Sequence, residues 1–189
     1  MSKLETNTID TISGSTNLTL GGTNATDITI PAGVTITNNG TQSGFGGVNT
    51  PAFAARLGSN YAVPTTTWTK VPIDVEIYDV GSCYDNSTNY RFTPTTAGKY
   101  VFYVQVGFDS LADGNYLYAS VYKNGSQIWG DANALNQVAT GLGAATRYTI
   151  TAEANGTTDY FEAYGQHVYG SNRNFTAGWC FFGGYKLID

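Results

Sequence analysis

No aromatic side chain occurs between Met1 and Gly44, whereas all three Trp, fourteen Tyr and nine Phe fall between Phe45 and Tyr185. A core is built chiefly from large apolar groups. A segment rich in Thr, Asn and Gly has too few of them to offset the conformational entropy lost on ordering. The front of the chain must therefore lean on a partner or on copies of itself. The sequence divides accordingly into residues 1–45, an attachment or trimerisation segment ending in a Gly-rich linker, and residues 46–189, a globular head.

Charged residues make up only 12% of the chain, against about 25% in an average domain. Glycine is abundant, and long runs of Ala, Leu, Glu and Lys are missing, which is an all-β composition. The head is long enough for a single sandwich. A net charge of −5, with nine scattered Lys and Arg, argues against a nucleic-acid partner, because neutralising phosphates needs clustered cations. The same shortage disfavours an anionic membrane surface. No run approaches the ~18 apolar residues of a membrane span, so no membrane insertion is expected. Met1-Ser2-Lys3-Leu4-Glu5 opens onto polar sequence, which predicts a soluble protein not exported by a cleaved signal.

Within residues 8–37, three short runs alternate aliphatic and polar residues: Asn17-Leu18-Thr19-Leu20, Asp27-Ile28-Thr29-Ile30 and Val34-Thr35-Ile36-Thr37. Gly21-Gly22 and Pro31-Ala32-Gly33 separate them, so each predicts a short strand with one apolar edge. Two or three aliphatics per strand cannot hold a lone chain together. Ile9, Ile12, Leu18, Leu20, Ile28 and Ile30 are thus the candidate attachment residues. Threefold association on a common axis, or docking of one chain onto another protein, would each cover them.

In the head, strands are predicted over Phe53–Leu57, from Thr67–Val71 through Ile77-Tyr78 around Pro72, and over Tyr90–Thr93. After a turn at Pro94–Gly98 comes Lys99–Phe108, with Tyr100, Phe102, Val104, Val106 and Phe108 on one face and Val101, Tyr103, Gln105 and Gly107 on the other. A strand this bulky on both sides is covered by the core on one face and at least partly covered on the second. Tyr116–Tyr122 places Leu117, Ala119 and Val121 inward and Tyr116, Tyr118, Ser120 and Tyr122 outward. Asn124-Gly125 predicts a type I′ hairpin turn leading into Gln127-Ile128-Trp129. A small-residue loop is expected over Asp131–Gly143, then strands over Ala145–Ala152 and Asp159–His167 about an Asn155-Gly156 turn, and a closing strand over Thr176–Leu187. Eight or more strands without a helix make a sandwich or jelly roll.

Few residues offer chemistry. Cys83 and Cys180 are the only cysteines; two thiols cannot complete a four-ligand zinc site, and synthesis in a reducing cytosol favours free thiols over a Cys83–Cys180 disulfide. Asn-x-Ser/Thr sequons at Asn17, Asn24, Asn39, Asn86, Asn124, Asn155 and Asn174 are what an Asn- and Thr-rich chain produces by chance. His167 is the sole histidine, so a Ser-His-Asp triad would have to run through it. Its surroundings carry no nucleophile-elbow signature, and it reads as a polar loop residue. Asp85, Asp109, Asp113, Asp131 and Asp159 lie near predicted turns without the close spacing of a calcium loop, and read as solvated turn residues. No catalytic residue, cofactor or metal is expected.

The stretch from Ala52 onward resembles the globular head of the complement first-component and tumour-necrosis-factor superfamily, in the version found on bacteriophage virion proteins. The residues that carry this are Phe53-Ala54-Ala55-Arg56-Leu57, Trp68-Thr69-Lys70-Val71-Pro72, Tyr84-Asp85, Tyr90-Arg91-Phe92-Thr93 and Ala97-Gly98-Lys99-Tyr100-Val101-Phe102. Val121-Tyr122-Lys123-Asn124-Gly125, Asp159 through Tyr164, and Phe175-Thr176-Ala177-Gly178-Trp179 follow in order. The lead-in, from Ile9-Asp10-Thr11-Ile12 to Gly40–Phe45, similarly resembles segments of phage structural proteins. The resemblance implies a ten-stranded jelly roll assembling as a compact homotrimer that binds proteins or sugars and does not catalyse. The animal heads ride on collagen-like stalks, and no Gly-x-y repeat exists here, so the lead-in trimerises or anchors by other means.

Fourteen tyrosines are more than one core absorbs; Tyr103, Tyr116, Tyr118, Tyr122, Tyr160, Tyr164 and Tyr169 include many that the alternation places away from it, and amphipathic rings favour wet interfaces and sugar-binding faces. In a trimeric head the second face of the long strand meets a neighbour, which marks Val101, Tyr103 and Gln105 as interface candidates. Tyr116, Tyr118 and Tyr122 form either a plain solvent-facing sheet or a ligand-binding surface. The expected function is a phage virion fibre or head appendage, made in the host cytoplasm and placed on the particle exterior. Its N-terminal part would be attached to other virion proteins and its head displayed toward a host-surface glycan or protein. A capsid decoration protein without receptor binding is the alternative, and a polysaccharide-degrading tail protein a further one.

Overall fold

The computed structural model describes residues 32–33, 35, 49–111, 115–128, 133–136 and 142–188, with backbone alone at 133–136 and 142. The chain divides between Ser43 and Gly44. The readings on Ile9, Ile12, Leu18, Leu20, Ile28 and Ile30, and on the linker, lie outside the described residues. Ala32 and Gly33 form a turn, Gly33 at φ +83°.

The described part of the head is all-β. Its strands are β1 (Ala52–Arg56), β2 (Tyr61–Val63), β3 (Thr69–Lys70), β4 (Val75–Val80), β5 (Tyr84–Asp85), β6 (Arg91–Phe92) and β7 (Ala97–Leu111), then β8 (Tyr116–Lys123), β9 (Ser126–Gln127), β10 (Asn133–Asn136), β11 (Leu142–Asn155), β12 (Phe161–His167), β13 (Arg173–Phe175) and β14 (Phe181–Lys186). Ten of them have three residues or more. They form two antiparallel sheets. The first runs β2-β13-β7-β14-β1-β4, with β11 paired along the whole of β7. The second runs β10-β8-β12-β6-β5, with β3 on β12 and β9 on β8.

The alternation along β7 appears as drawn from the sequence: Tyr100, Phe102, Val104, Val106 and Phe108 are buried, while Val101, Tyr103 and Gln105 are not. On β8, Leu117, Ala119 and Val121 are fully buried. Asn124 at φ +53° and Gly125 at φ +76° make the turn that returns the chain into β9, with Lys123 opposite Ser126. Both φ values are positive, which Asn and Gly tolerate and other residues resist.

Aromatic rings from the two sheets lock the layers together. Phe102 of β7 stacks on Phe161 of β12 at 4.2 Å, and Phe53 of β1 stacks on Phe92 of β6 at 4.4 Å and on Tyr84 of β5 at 4.7 Å. Phe182 of β14 meets Phe53 edge-on at 4.9 Å. Such pairs add to the hydrophobic gain from burial itself.

Four sequence readings need correction. The loop expected over Asp131–Gly143 contains β10, whose Asn133–Asn136 pair with Ala119–Tyr116 of β8; so short a run has no periodicity of its own. The segments Tyr61–Val63 and Arg173–Phe175 were not expected to be strands, and they become strands by pairing with each other. Ser120 faces outward yet is fully buried. His167 is no loop residue: it ends β12 with no exposed surface, its Nε2 3.1 Å from the Val63 carbonyl oxygen and its ring edge-on to Phe108 at 5.2 Å.

Two measurements test this core. Phe102→Ala removes the ring shared by Phe92, Tyr100, Phe161 and Phe182, and should lower unfolding free energy by about 3–5 kcal/mol in urea titrations. Burial, opposed by the hydrogen bond to Val63, holds the His167 imidazole below its ordinary 6.5, with Arg173 pushing the same way and Asp109 against. Its folded state therefore takes up a proton less readily than its unfolded state, so stability is full above the unfolded value and is lost as pH falls through the folded one. With His167 the sole histidine, the urea midpoint should decline between pH 7 and pH 5, and His167→Gln should flatten that decline.

Candidate assembly and binding surfaces

The outer face of the first sheet is largely apolar from β7 to β4 and polar along β11, where Arg147, Thr149, Thr151 and Glu153 are exposed. By register, Val101, Tyr103 and Gln105 of β7 lie opposite Tyr185, Gly183 and Phe181 of β14, and these lie opposite Ala52, Ala54 and Arg56 of β1. Beyond β1, Tyr78 and Val80 of β4 pair with Ala54 and Ala52. The three interface candidates thus sit within one continuous face. Ile77 is 58% exposed, Val80 49%, Tyr78 44% and Tyr103 37%.

The side chains on this face are fixed. A Cβ at Gly183 would collide with the Tyr103 ring, so only glycine lets that ring lie down on the sheet. Partial burial, and then the charge and hydrogen bond of Tyr78, push the Tyr103 phenol up to about 12. Gln105 accepts a hydrogen bond from Arg147 Nε at 2.5 Å and donates one to the Trp179 carbonyl oxygen at 2.9 Å. Between Ile77, Tyr103, Gln105, Arg147 and Phe181 lies a cavity of about 270 Å³.

The outer face of the second sheet carries Tyr116, Tyr118 and Tyr122, as expected. Tyr116 is exposed, and the other two are half-buried. Trp68, which sequence reasoning did not assign to this surface, lies 6.1 Å from both Tyr118 and Tyr122, on either side of Ser120; its cover accounts for the buried hydroxyl. Tyr164 of β12, opposite Ser120, stacks on Tyr122 at 3.8 Å. Burial raises both phenols, with Glu162 adding to the rise at Tyr164. Glu162, 5% exposed at its side chain, pairs with Lys70 Nζ at 2.8 Å, and the Arg91 guanidinium lies 4.4 Å from the centre of the Tyr160 ring. Only the pairing of β3 with β12 brings Trp68 near these tyrosines.

The carboxylates are held within the fold, Asp85 by its own turn and Asp109 and Asp159 by residues of other segments. Asp85 accepts backbone N–H bonds from Ser87, Thr88 and Asn89, the one from Thr88 contributing most to holding its carboxyl below the usual range. Asp159 is held down first by Asn124 Nδ2 and then by Lys123 and the Asn155 N–H. Asp109 accepts from the Asn174 backbone and side chain. Asp113 and Asp131 lie outside the described residues. Among the described residues no three His, Cys, Asp or Glu side chains converge as a metal site would require. Cys83 and Cys180 are buried free thiols, and burial pushes Cys180 up to about 12.

No protein-family model matches the chain, and no curated protein matches it. Solved structures do. Murine APRIL at pH 8.0 is similar with a TM-score of 0.51 at 11% identity, over 72% of this chain and 98% of that one. The pH 5.0 form gives 0.50 at 12% identity, over 72% and 99%. PRD1 vertex protein P5 is similar at a TM-score of 0.46 and 14% identity, over 75% of this chain and 99% of that one, too loosely to bear on function. Two curled antiparallel sheets arranged in this order are a tumour-necrosis-factor-like jelly roll.

Proposed function

We propose that this chain is a bacteriophage virion structural protein whose head, residues 46–189, assembles as a homotrimer through the outer face of the first sheet. The observation that carries the reading is the row of exposed apolar side chains on that face, Ile77, Tyr78, Val80 and Tyr103. Burying such a row in a copy of the chain removes apolar surface from water at no new covalent cost. Val101, Tyr103 and Gln105 form the centre of the interface. The phage assignment is supported by the resemblance of the head and lead-in sequences to virion proteins. In this reading residues 1–45 fasten the trimer to the particle exterior through Ile9, Ile12, Leu18, Leu20, Ile28 and Ile30.

Tyr116, Tyr118 and Tyr122 belong to the other sheet and stay outward when the first sheet is covered. They contact the host surface, where three copies of a weak site give useful avidity without any tight one. Nothing in this role requires catalysis.

The purified chain should have a solution mass three times its 20.2 kDa by light scattering at micromolar concentration; a well-folded monomer would sink the reading. Tyr103→Lys and Ile77→Asp each place a charge in the apolar contact, and each should shift the mass toward that of one chain with the fold retained by circular dichroism. Labelled trimer should bind host cells and lose binding in Tyr118→Ala. A trimer that binds no cell identifies a decoration protein, and release of reducing ends from host polysaccharide identifies a degrading enzyme.

A further inference from the structure

We infer that the cleft beside β2 and β3 binds a neutral saccharide residue, an inference that rests on the adhesion reading and names its ligand class. The cleft measures about 400 Å³ and is lined by Ser59, Asn60, Tyr61, Lys70, Asp74 and Tyr90 together with apolar neighbours. It therefore joins two aromatic rings to both hydrogen-bond donors and acceptors.

Its polar walls are held in place from behind. Asp74 Oδ1 accepts the Gly58 N–H at 2.6 Å, and Asn60 Oδ1 accepts the Ala177 N–H at 2.8 Å. The second polar atom of each side chain, Asp74 Oδ2 and Asn60 Nδ2, makes no hydrogen bond among the described residues. One is an acceptor and the other a donor, so both roles are open to a ligand. Lys70 Nζ is anchored by Glu162 at 2.8 Å and the Asn89 carbonyl oxygen at 3.0 Å. Pre-set groups bind without a further ordering cost.

Tyr90 supplies a separate pointer. It sits at φ +50°, a left-handed conformation that an aromatic residue adopts only when its surroundings impose it. The imposing element is the preceding turn, whose N–H groups the Asp85 carboxylate gathers. Strain of this kind is retained where a side chain must be aimed, as at a ligand clamp.

Elimination narrows the ligand class. The Lys70 charge is already matched by Glu162, and Asp74 adds a negative one, so an anion finds no net attraction. A purely apolar ligand would strip water from Asp74 and Lys70 without replacing its hydrogen bonds. A metal ion lacks ligands, since no three suitable side chains converge among the described residues. A sugar ring fits what remains: its C–H face stacks on a tyrosine, while its hydroxyls both donate to Asp74 and accept from Asn60.

The test is saturation-transfer NMR on the full-length trimer with glucose, galactose and N-acetylglucosamine, each alone. At least one should receive saturation at its ring C–H protons. Asp74→Asn, which keeps the Gly58 hydrogen bond but replaces the open acceptor, and Tyr90→Gly should each weaken that binding about tenfold or more. Glycine takes φ +50° freely, so Tyr90→Gly should keep the parent's circular-dichroism spectrum and trimer mass at the assay temperature, which separates lost binding from lost folding. No transfer to any of the three sugars, or unchanged affinity in both variants, overturns the cleft. Either result with the trimer mass intact leaves the assembly reading standing, whereas a monomeric parent chain sinks assembly first.

Discussion

Strand β7 carries apolar side chains on both faces, and one sandwich has only one core in which to bury them. Its inward face is spent on the second sheet, where Phe102 meets Phe161. Its outward face remains, with Tyr103 still 37% exposed between Val101 and Gln105. On the β14, β1 and β4 side of this fifteen-residue strand the condition continues, whereas on its other side β11 turns Arg147, Thr149, Thr151 and Glu153 outward. The exposed apolar row of Ile77, Tyr78, Val80 and Tyr103 follows from this sheet's geometry rather than from any one residue.

The two sheets therefore differ in the character of their outer faces. The first presents small residues beneath large rings: Ala52, Ala54 and Gly183 underlie a surface whose relief comes from Tyr78, Val80 and Tyr103. The second presents aromatic rings interleaved with ions, Trp68 and Tyr164 beside Lys70, Glu162 and Arg91. A surface whose centre is apolar, with Arg56 and Arg147 at its margins, is costly to leave wet. One that mixes rings with paired charges is stable in water and selective in what it touches.

Much of this was legible in the sequence because it rests on local rules. The period-two pattern from Tyr100 to Phe108, the inward set on β8 and the Asn124-Gly125 turn need nothing beyond neighbouring residues. What escaped depends on pairing between distant segments. Tyr61–Val63 and Arg173–Phe175 are strands only in each other's company, and β10 is a strand only beside β8. His167, the last residue of a predicted strand, read as a loop residue because nothing local marks its surroundings, and the Val63 carbonyl and the Phe108 ring that make its environment come from far along the chain. Trp68 was counted as part of a strand, and its place over Ser120 is set by the pairing of Lys70 with Tyr164. The outward tyrosines were likewise readable as faces and unreadable as neighbours.

Gly183 shows how the outward face of the first sheet is made. It lies opposite Tyr103 on β7 and opposite Ala54 on β1. Any side chain at Gly183 would meet the Tyr103 ring and tilt it away from the sheet. With glycine there, the ring lies along the strands, and its hydroxyl reaches Tyr78 across the small residues between them. A ring laid down in this way spreads its apolar surface broadly and gives up part of its hydration even in the single chain, as the raised Tyr103 phenol records. In the proposed assembly less hydration remains to be lost there, which leaves apolar contact as the main favourable contribution. Glycine at this position thus links the local packing of one tyrosine to the apolar relief of the sheet through which assembly is proposed.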